Sequence, residues 1–80
     1  MRALITGVAG QDGTLLSSLL IGRQWEVNGS KLPNETLSHD HPLSSRQVVD
    51  LDVRNTDAVS EVISMLKPDV IYHFAGVTSV

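Results

Sequence analysis

Apolar positions along the chain switch between two periods. "RALIT", residues 2–6, is a short apolar run closed by Gly7, which predicts a buried strand. From Gln11 the spacing becomes helical. Leu15, Leu16, Leu19 and Leu20 recur at i, i+1, i+4 and i+5 and are expected to form the inner stripe. Ser17, Ser18 and Arg23 are expected to fall outside it, with Gly22 and Arg23 ending the helix. "WEVNG" predicts a second strand and "QVVDLDV" a third. Asn55 or Thr56 then caps a second helix, with Asp57 well placed in its first turn. Val59, Val62, Ile63 and Leu66 form the predicted inner face, and Lys67-Pro68-Asp69 stops the helix. "VIYHFAG" is a fourth strand, apolar enough to be covered on both faces.

The order β-α-β-β-α-β with right-handed crossovers predicts an α/β fold. It is the first half of a Rossmann-like doubly wound parallel sheet, with strand order 3-2-1-4. The carboxyl ends of strands one and four then flank the switch point where such sheets bind ligands. About seventeen polar residues, "SKLPNETLSHDHPLSSR", separate strands two and three, and Pro33 and Pro42 keep them out of a helix. That length suffices to return the chain to a parallel neighbour.

Composition narrows the function. Eighty residues allow one small domain, burying roughly 60–65% of its unfolded surface. A net charge of −3 and scattered cations argue against nucleic acid and against an anionic membrane surface as partners. No apolar run is long enough to span a bilayer, and Gly7 and Gly10 interrupt the one stretch that mimics a signal peptide. The expected location is therefore cytoplasmic. Without cysteine there is neither a disulfide framework nor a thiolate metal site.

The candidate chemistry lies in "GVAGQDG". Gly7, Gly10 and Gly13 are spaced G-x-x-G-x-x-G between a strand and a helix. Gly7 permits the turn off the strand, Gly10 lets the backbone approach a pyrophosphate, and Gly13 lets the helix pack close to strand one. The helix start offers free N–H groups and a positive dipole end to phosphate. No Gly-Lys-Ser/Thr follows, which excludes a P-loop. Where an acidic residue usually meets the ribose 2′-hydroxyl, this chain has Lys31. A cation there suits a 2′-phosphate and so NADP, with NAD as the alternative; Lys31 also reads as a solvated loop residue. Asp52 suits an adenine amino group, or equally the capping of local backbone. His39 and His41 at i, i+2 in a polar loop read as solvated rather than metal-binding. His73 reads as a hydrogen-bonded histidine near the switch point.

On these residues the chain resembles the extended short-chain dehydrogenase/reductases that act on nucleotide sugars. Thr6–Gly13 matches their T-G-x-x-G-x-x-G loop, and Gln11-Asp12-Gly13 is similar to the GDP-mannose 4,6-dehydratase group. "LDVRNTDAVSEVISMLKPDVIYHFAGVTSV" is similar to that group's third strand, crossover helix and fourth strand. The "KPD" and "H-x-A-x-x-x-S-V" spacing also fits the sister GDP-4-keto-6-deoxymannose reductases, and other epimerases or reductases of the superfamily are alternatives. The resemblance implies that Gly7, Val8, Ala9, Gly10, Gln11 and Asp12 line the pyrophosphate, and that Asp52 and Val53 contact adenine. It places Phe74, Ala75, Gly76, Val77 and Thr78 beneath the two riboses. The dehydratases usually follow the lysine with an arginine pair, where this chain has Leu32 and Pro33, and its loop is shorter. That departure bears on both NADP preference and any homo-oligomer contact made by the loop.

The implied reaction oxidises C4 of the sugar, eliminates water across C5 and C6, and returns the hydride to C6. It requires a Tyr-x-x-x-Lys pair, and four residues after Tyr72 comes Gly76. The expectation is a cofactor-binding half-domain, residues 1–80, at the front of a longer nucleotide-sugar enzyme, inactive by itself. The alternative from another class is a free-standing nucleotide-binding or interaction module that completes its sheet with another chain. An apolar strand four at the sheet edge, with one helix per face, motivates both readings.

Overall fold

Arg2–Thr6 (β1) lies at the centre of a four-stranded parallel sheet of order β3-β2-β1-β4. Its neighbours are Glu26–Lys31 (β2) and Val70–His73 (β4), and Val48–Asp50 (β3) is the outer strand beyond β2. Helices Gln11–Gly22 (α1) and Thr56–Leu66 (α2) make the crossovers. The computed structural model describes residues 1–75. The predicted strand order is observed. β2 ends two residues later than "WEVNG", and β3 is shorter than "QVVDLDV".

Alternation along β1 builds two cores. Ala3 and Ile5 point to one face, where they meet Val27, Leu20 of α1 and Leu43 of the long loop. Leu4 points to the other, where Leu51, Val62 of α2 and the part-buried Val59 and Leu66 cover it. Leu4 and Ile5 are 2% and 0% exposed, and burying such a side chain contributes about 1.5–3 kcal/mol. Two hydrogen bonds tie the amino end of β1 to the residue before β4: Asp69 N–H donates to Arg2 O, and Arg2 N–H donates to the Asp69 side chain at Oδ2, both at 2.8 Å.

The inner stripe of α1 differs from the leucine pattern. Its buried residues are Gly13, Ser17 and Leu20, whereas Leu15 and Leu19 are 63% and 52% exposed. The close approach at Gly13 sets the helix phase. A Cβ there would lie 2.6 Å from Val8 Cα, so this face must be the one turned inward. Ser17 fits beneath because its hydroxyl donates to Gly13 O at 2.7 Å and needs no other partner. α2 follows its pattern more closely. Val62 is buried, Asn55 Oδ1 accepts the Ala58 N–H at 3.1 Å, and Ile63 lies at the edge, 36% exposed.

The polar loop after β2 packs where a crossover helix would. Leu37 and Leu43 reach the first core, and a 3-10 turn at Ser45–Gln47 leads into β3. His41, expected to be solvated, is 8% exposed. Strand β4 is expected to be covered on both faces; in the fold Tyr72 packs partly against the first core while Ile71 remains 44% exposed. Ile71 borders an apolar cleft of about 210 Å³ beside α2, together with Leu4, Val59 and Ile63.

Candidate functional site: a cleft at the strand ends

The carboxyl ends of all four strands open onto one cavity of about 350 Å³. After β1 come Gly7 and Gly10, from β2 Ser30 and Lys31, after β3 Asp52 and Val53, and after β4 Phe74 and Ala75. These are the strand ends where the sequence places a cofactor. Of the expected contacts, Gly7, Gly10, Lys31, Asp52, Val53, Phe74 and Ala75 line the cavity. Gly76, Val77 and Thr78 lie outside the described residues. Val8, Ala9, Gln11 and Asp12 are not part of the wall.

Each glycine has a distinct steric reason. Gly7 has φ +70°, and a Cβ would lie 2.7 Å from Ala75 N, so the turn presses against the end of β4. Gly10 lines the cavity, and a Cβ there would meet only Gly7 O, at 3.7 Å. Gly13 packs on Val8, in the loop, rather than on β1 itself. A fourth glycine, Gly29 in β2, carries no expectation from the sequence. Its missing Cβ leaves room for the Val8 side chain, which would otherwise lie 2.5 Å away.

Val8 is therefore a structural part of the loop. It is fully buried, its N–H donates to Ser30 O at 2.9 Å, and its carbonyl accepts from His41 Nε2 at 2.8 Å. With both backbone groups taken, Val8 shapes the loop instead of binding phosphate. Gly10 is the N-cap of α1 and no side chain caps that end. Among the described residues, the helix's first-turn N–H groups therefore have no side-chain acceptor.

Thr6, the first residue of the T-G-x-x-G-x-x-G loop, joins β1 to β4. Its Oγ1 hydrogen-bonds His73 Nδ1 at 2.7 Å and accepts the Ala75 N–H at 3.3 Å. His73 thus has the hydrogen-bonded place expected of it.

Charge on the cavity wall is largely paired. Lys31 Nζ donates to Asp50 Oδ1 at 2.7 Å, and the lysine side chain is only 18% exposed. This removes the reading of Lys31 as a solvated cation. Asp52 accepts the Arg54 N–H and binds its guanidinium through both carboxylate oxygens, at 2.7–3.2 Å. Hydrogen bonds from the Arg54 side chain, then from its backbone, hold the Asp52 carboxyl down at about 2. Asp52 thus caps local backbone and lines the cavity at once.

Sequence reasoning missed Ser30, Glu35 and Arg54 on this wall. Among the described residues, Ser30 Oγ is buried and has no hydrogen-bond partner. Glu35 Oε1 accepts the Leu32 N–H at 2.8 Å, which folds the start of the long loop back against the cleft. Only the loop's folded path brings Glu35 here, and no spacing rule could have signalled it.

Strand order, glycine turn and cleft together define a Rossmann-like domain of the extended short-chain dehydrogenase/reductase class, within its nucleotide-sugar group. A model of the GDP-mannose 4,6 dehydratase family matches residues 4–80, and the chain belongs to that family. It is 31% identical to GDP-mannose 4,6 dehydratase 2 of Arabidopsis thaliana over 85 aligned positions, covering 92% of this chain and 23% of the plant protein. Against the GDP-mannose 4,6-dehydratase of Vibrio cholerae the identity is 28%, covering 94% and 23% of the two chains. Among solved structures, the UDP-glucose 4-epimerase of Thermus thermophilus in complex with NAD superposes with a TM-score of 0.83 at 26% identity. That match covers all of this chain and 25% of the epimerase. The Bordetella bronchiseptica enzyme WbmH in complex with NAD+ gives 0.76 at 26% identity, covering 98% and 26%. The chain thus spans about a quarter of the length of these relatives.

Proposed function

We propose that residues 1–80 form the nicotinamide-dinucleotide-binding part of a GDP-mannose 4,6-dehydratase-type enzyme acting on a nucleotide sugar. The observation that carries this reading is Gly10: the residue that begins α1 lines the cleft at the strand ends, and a Cβ there would meet only Gly7 O, at 3.7 Å. The cleft volume, about 350 Å³, suits part of a dinucleotide. Ser30 lines the wall, and its buried Oγ has no partner among the described residues, a need that a polar ligand group would meet. The two NAD-bound relatives share the fold over nearly the whole chain.

In this reading the turn at Gly10 and the first amides of α1 hold the pyrophosphate, Asp52 and Val53 flank the adenine, and Phe74 and Ala75 support the nucleoside. When bound, the nicotinamide supplies hydride transfer at the sugar. Thr6 acts indirectly by fixing the β4 end beside the turn. No Tyr-x-x-x-Lys pair occurs in these eighty residues, so the property to test on this chain is binding.

Thermal melting with NAD and NADP provides the test. At a hundredfold excess over Kd, a bound cofactor adds about 2.7 kcal/mol to the folded state. Gly10→Val should remove that shift and leave the ligand-free melt nearly unchanged, because the fold has room at this position. A folded chain that melts identically with and without either cofactor would refute the reading.

A further inference from the structure

The charges around the cleft discriminate between the two forms of the cofactor. Its wall contains two cations, Lys31 and Arg54, and both are already neutralised by carboxylates of this chain, Asp50 and Asp52. The Lys31–Asp50 pair involves a mostly buried lysine side chain, where bulk water screens less than at an open surface. Glu35 also lines the wall, and it has no cationic partner among the described residues. The wall itself holds two cations and two carboxylates, and Asp50, which engages Lys31 from beside it, adds a third carboxylate.

We infer that the cleft selects the 2′,3′-diol of NAD over the 2′-phosphate of NADP, with Glu35 as the specificity-determining residue. This inference rests on the cofactor reading above. A carboxylate accepts hydrogen bonds from hydroxyls and repels a phosphate dianion. Glu35 is held at the wall by the Leu32 N–H, which occupies Oε1 and leaves Oε2 for a ligand hydroxyl. Ser30, on the same wall, carries a buried Oγ with no partner among the described residues. Lys31 would have to surrender its Asp50 bond to serve a phosphate, so its charge does not carry the preference for NADP that its position suggests.

The test compares the affinities of NAD and NADP by isothermal titration at one ionic strength, on chain shown to be folded by circular dichroism. NAD should bind about tenfold tighter, the size expected for one charge-assisted hydrogen bond gained and one repulsion avoided. Glu35→Gln keeps an acceptor for the Leu32 N–H and removes the charge, so it should narrow the gap. Asp50→Asn frees Lys31 and should strengthen NADP binding while changing NAD little. NADP binding as tightly as NAD to the parent chain overturns the inference and leaves the cofactor reading intact. A preference for NAD that survives both substitutions unchanged also overturns it, since other groups must then set the choice. If neither dinucleotide binds, the cofactor reading fails and this inference with it.

Discussion

His41 Nε2 lies 2.8 Å from the carbonyl oxygen of Val8, thirty-three residues away in sequence, and the contact is buried. The other ring nitrogen, Nδ1, accepts the Leu43 N–H at 3.0 Å. Because Nδ1 is an acceptor, the ring proton belongs on Nε2 and is donated to Val8. One imidazole therefore ties the long loop to the glycine turn that faces the cleft.

His41→Ala leaves the Val8 carbonyl and the Leu43 amide without these partners. Each buried unpaired group costs about 1–3 kcal/mol, so chemical denaturation should show a large loss of stability. The same change should loosen the glycine turn and weaken dinucleotide binding, although His41 does not line the cleft. Nitrogen chemical shifts of the parent ring should report the Nε2–H tautomer. A ring protonated at Nδ1 in the neutral form would contradict the hydrogen-bond assignment.

Val8 and Gly29 make a second test of the turn. An added Cβ at Gly29 would meet Val8 Cγ1, Cβ and Cγ2 at 2.5, 2.7 and 2.8 Å. Val8 is β-branched and fully buried, so it has no free rotamer to escape into. Gly29→Ala should destabilise by about 1–3 kcal/mol, the usual range for overpacking. Val8→Ala removes two of the three contacts and leaves the Cβ, so the double variant should recover only part of the loss. Strict additivity of the two changes, measured by a denaturation cycle, would show that the side chains do not meet.

These contacts also mark where sequence reasoning stops. The strand order, both helices and the position of the cleft are legible because they follow from short apolar runs, helical spacing and a glycine turn. The face of α1 is not. Four leucines suggest one stripe, but the contact between Gly13 and Val8 turns Ser17 inward and Leu15 and Leu19 outward. Small residues decide that packing, and hydrophobicity does not register them. His41 is hidden for a different reason. A polar loop reads as solvated until its path over the sheet is known, and both of its hydrogen-bond partners are backbone atoms. The place of Lys31 at the end of β2 is legible, but the carboxylate that engages it comes from β3, nineteen residues on.

Asp52 gives a pH prediction with a definite sign. Its carboxyl is lowered from 3.8 to about 2, chiefly by hydrogen bonds from Arg54. A depressed folded value means the contribution to stability is present above about pH 4 and is lost as pH falls towards 2. Side-chain carboxyl shifts followed by NMR should place the Asp52 midpoint near 2. Arg54→Ala should move it upward but not fully to 3.8, because the residue-54 backbone N–H still donates to Oδ1. A midpoint unchanged by that substitution would show that the guanidinium is not the cause.

The two ends of α2 should respond in opposite directions. At its start Asn55 Oδ1 accepts the Ala58 N–H, so Asn55→Ala should cost about 1 kcal/mol, typical of a lost N-cap. At its end Lys67 adopts φ 48° and ψ 55°, the left-handed conformation that closes the helix, with its N–H bonded to Ile63 O at 2.8 Å. A side chain in this conformation costs about 1–2 kcal/mol, which glycine avoids. Glycine also loses more freedom on folding, by about 0.5–1 kcal/mol, which offsets part of the gain. Lys67 is exposed, so little packing is forfeited. Lys67→Gly should therefore stabilise by up to about 1 kcal/mol, visible as a rise of roughly 4–8 °C in Tm at most for a domain of this size. A fall in Tm would mean that the lysine side chain contributes more at this helix end than its left-handed backbone costs.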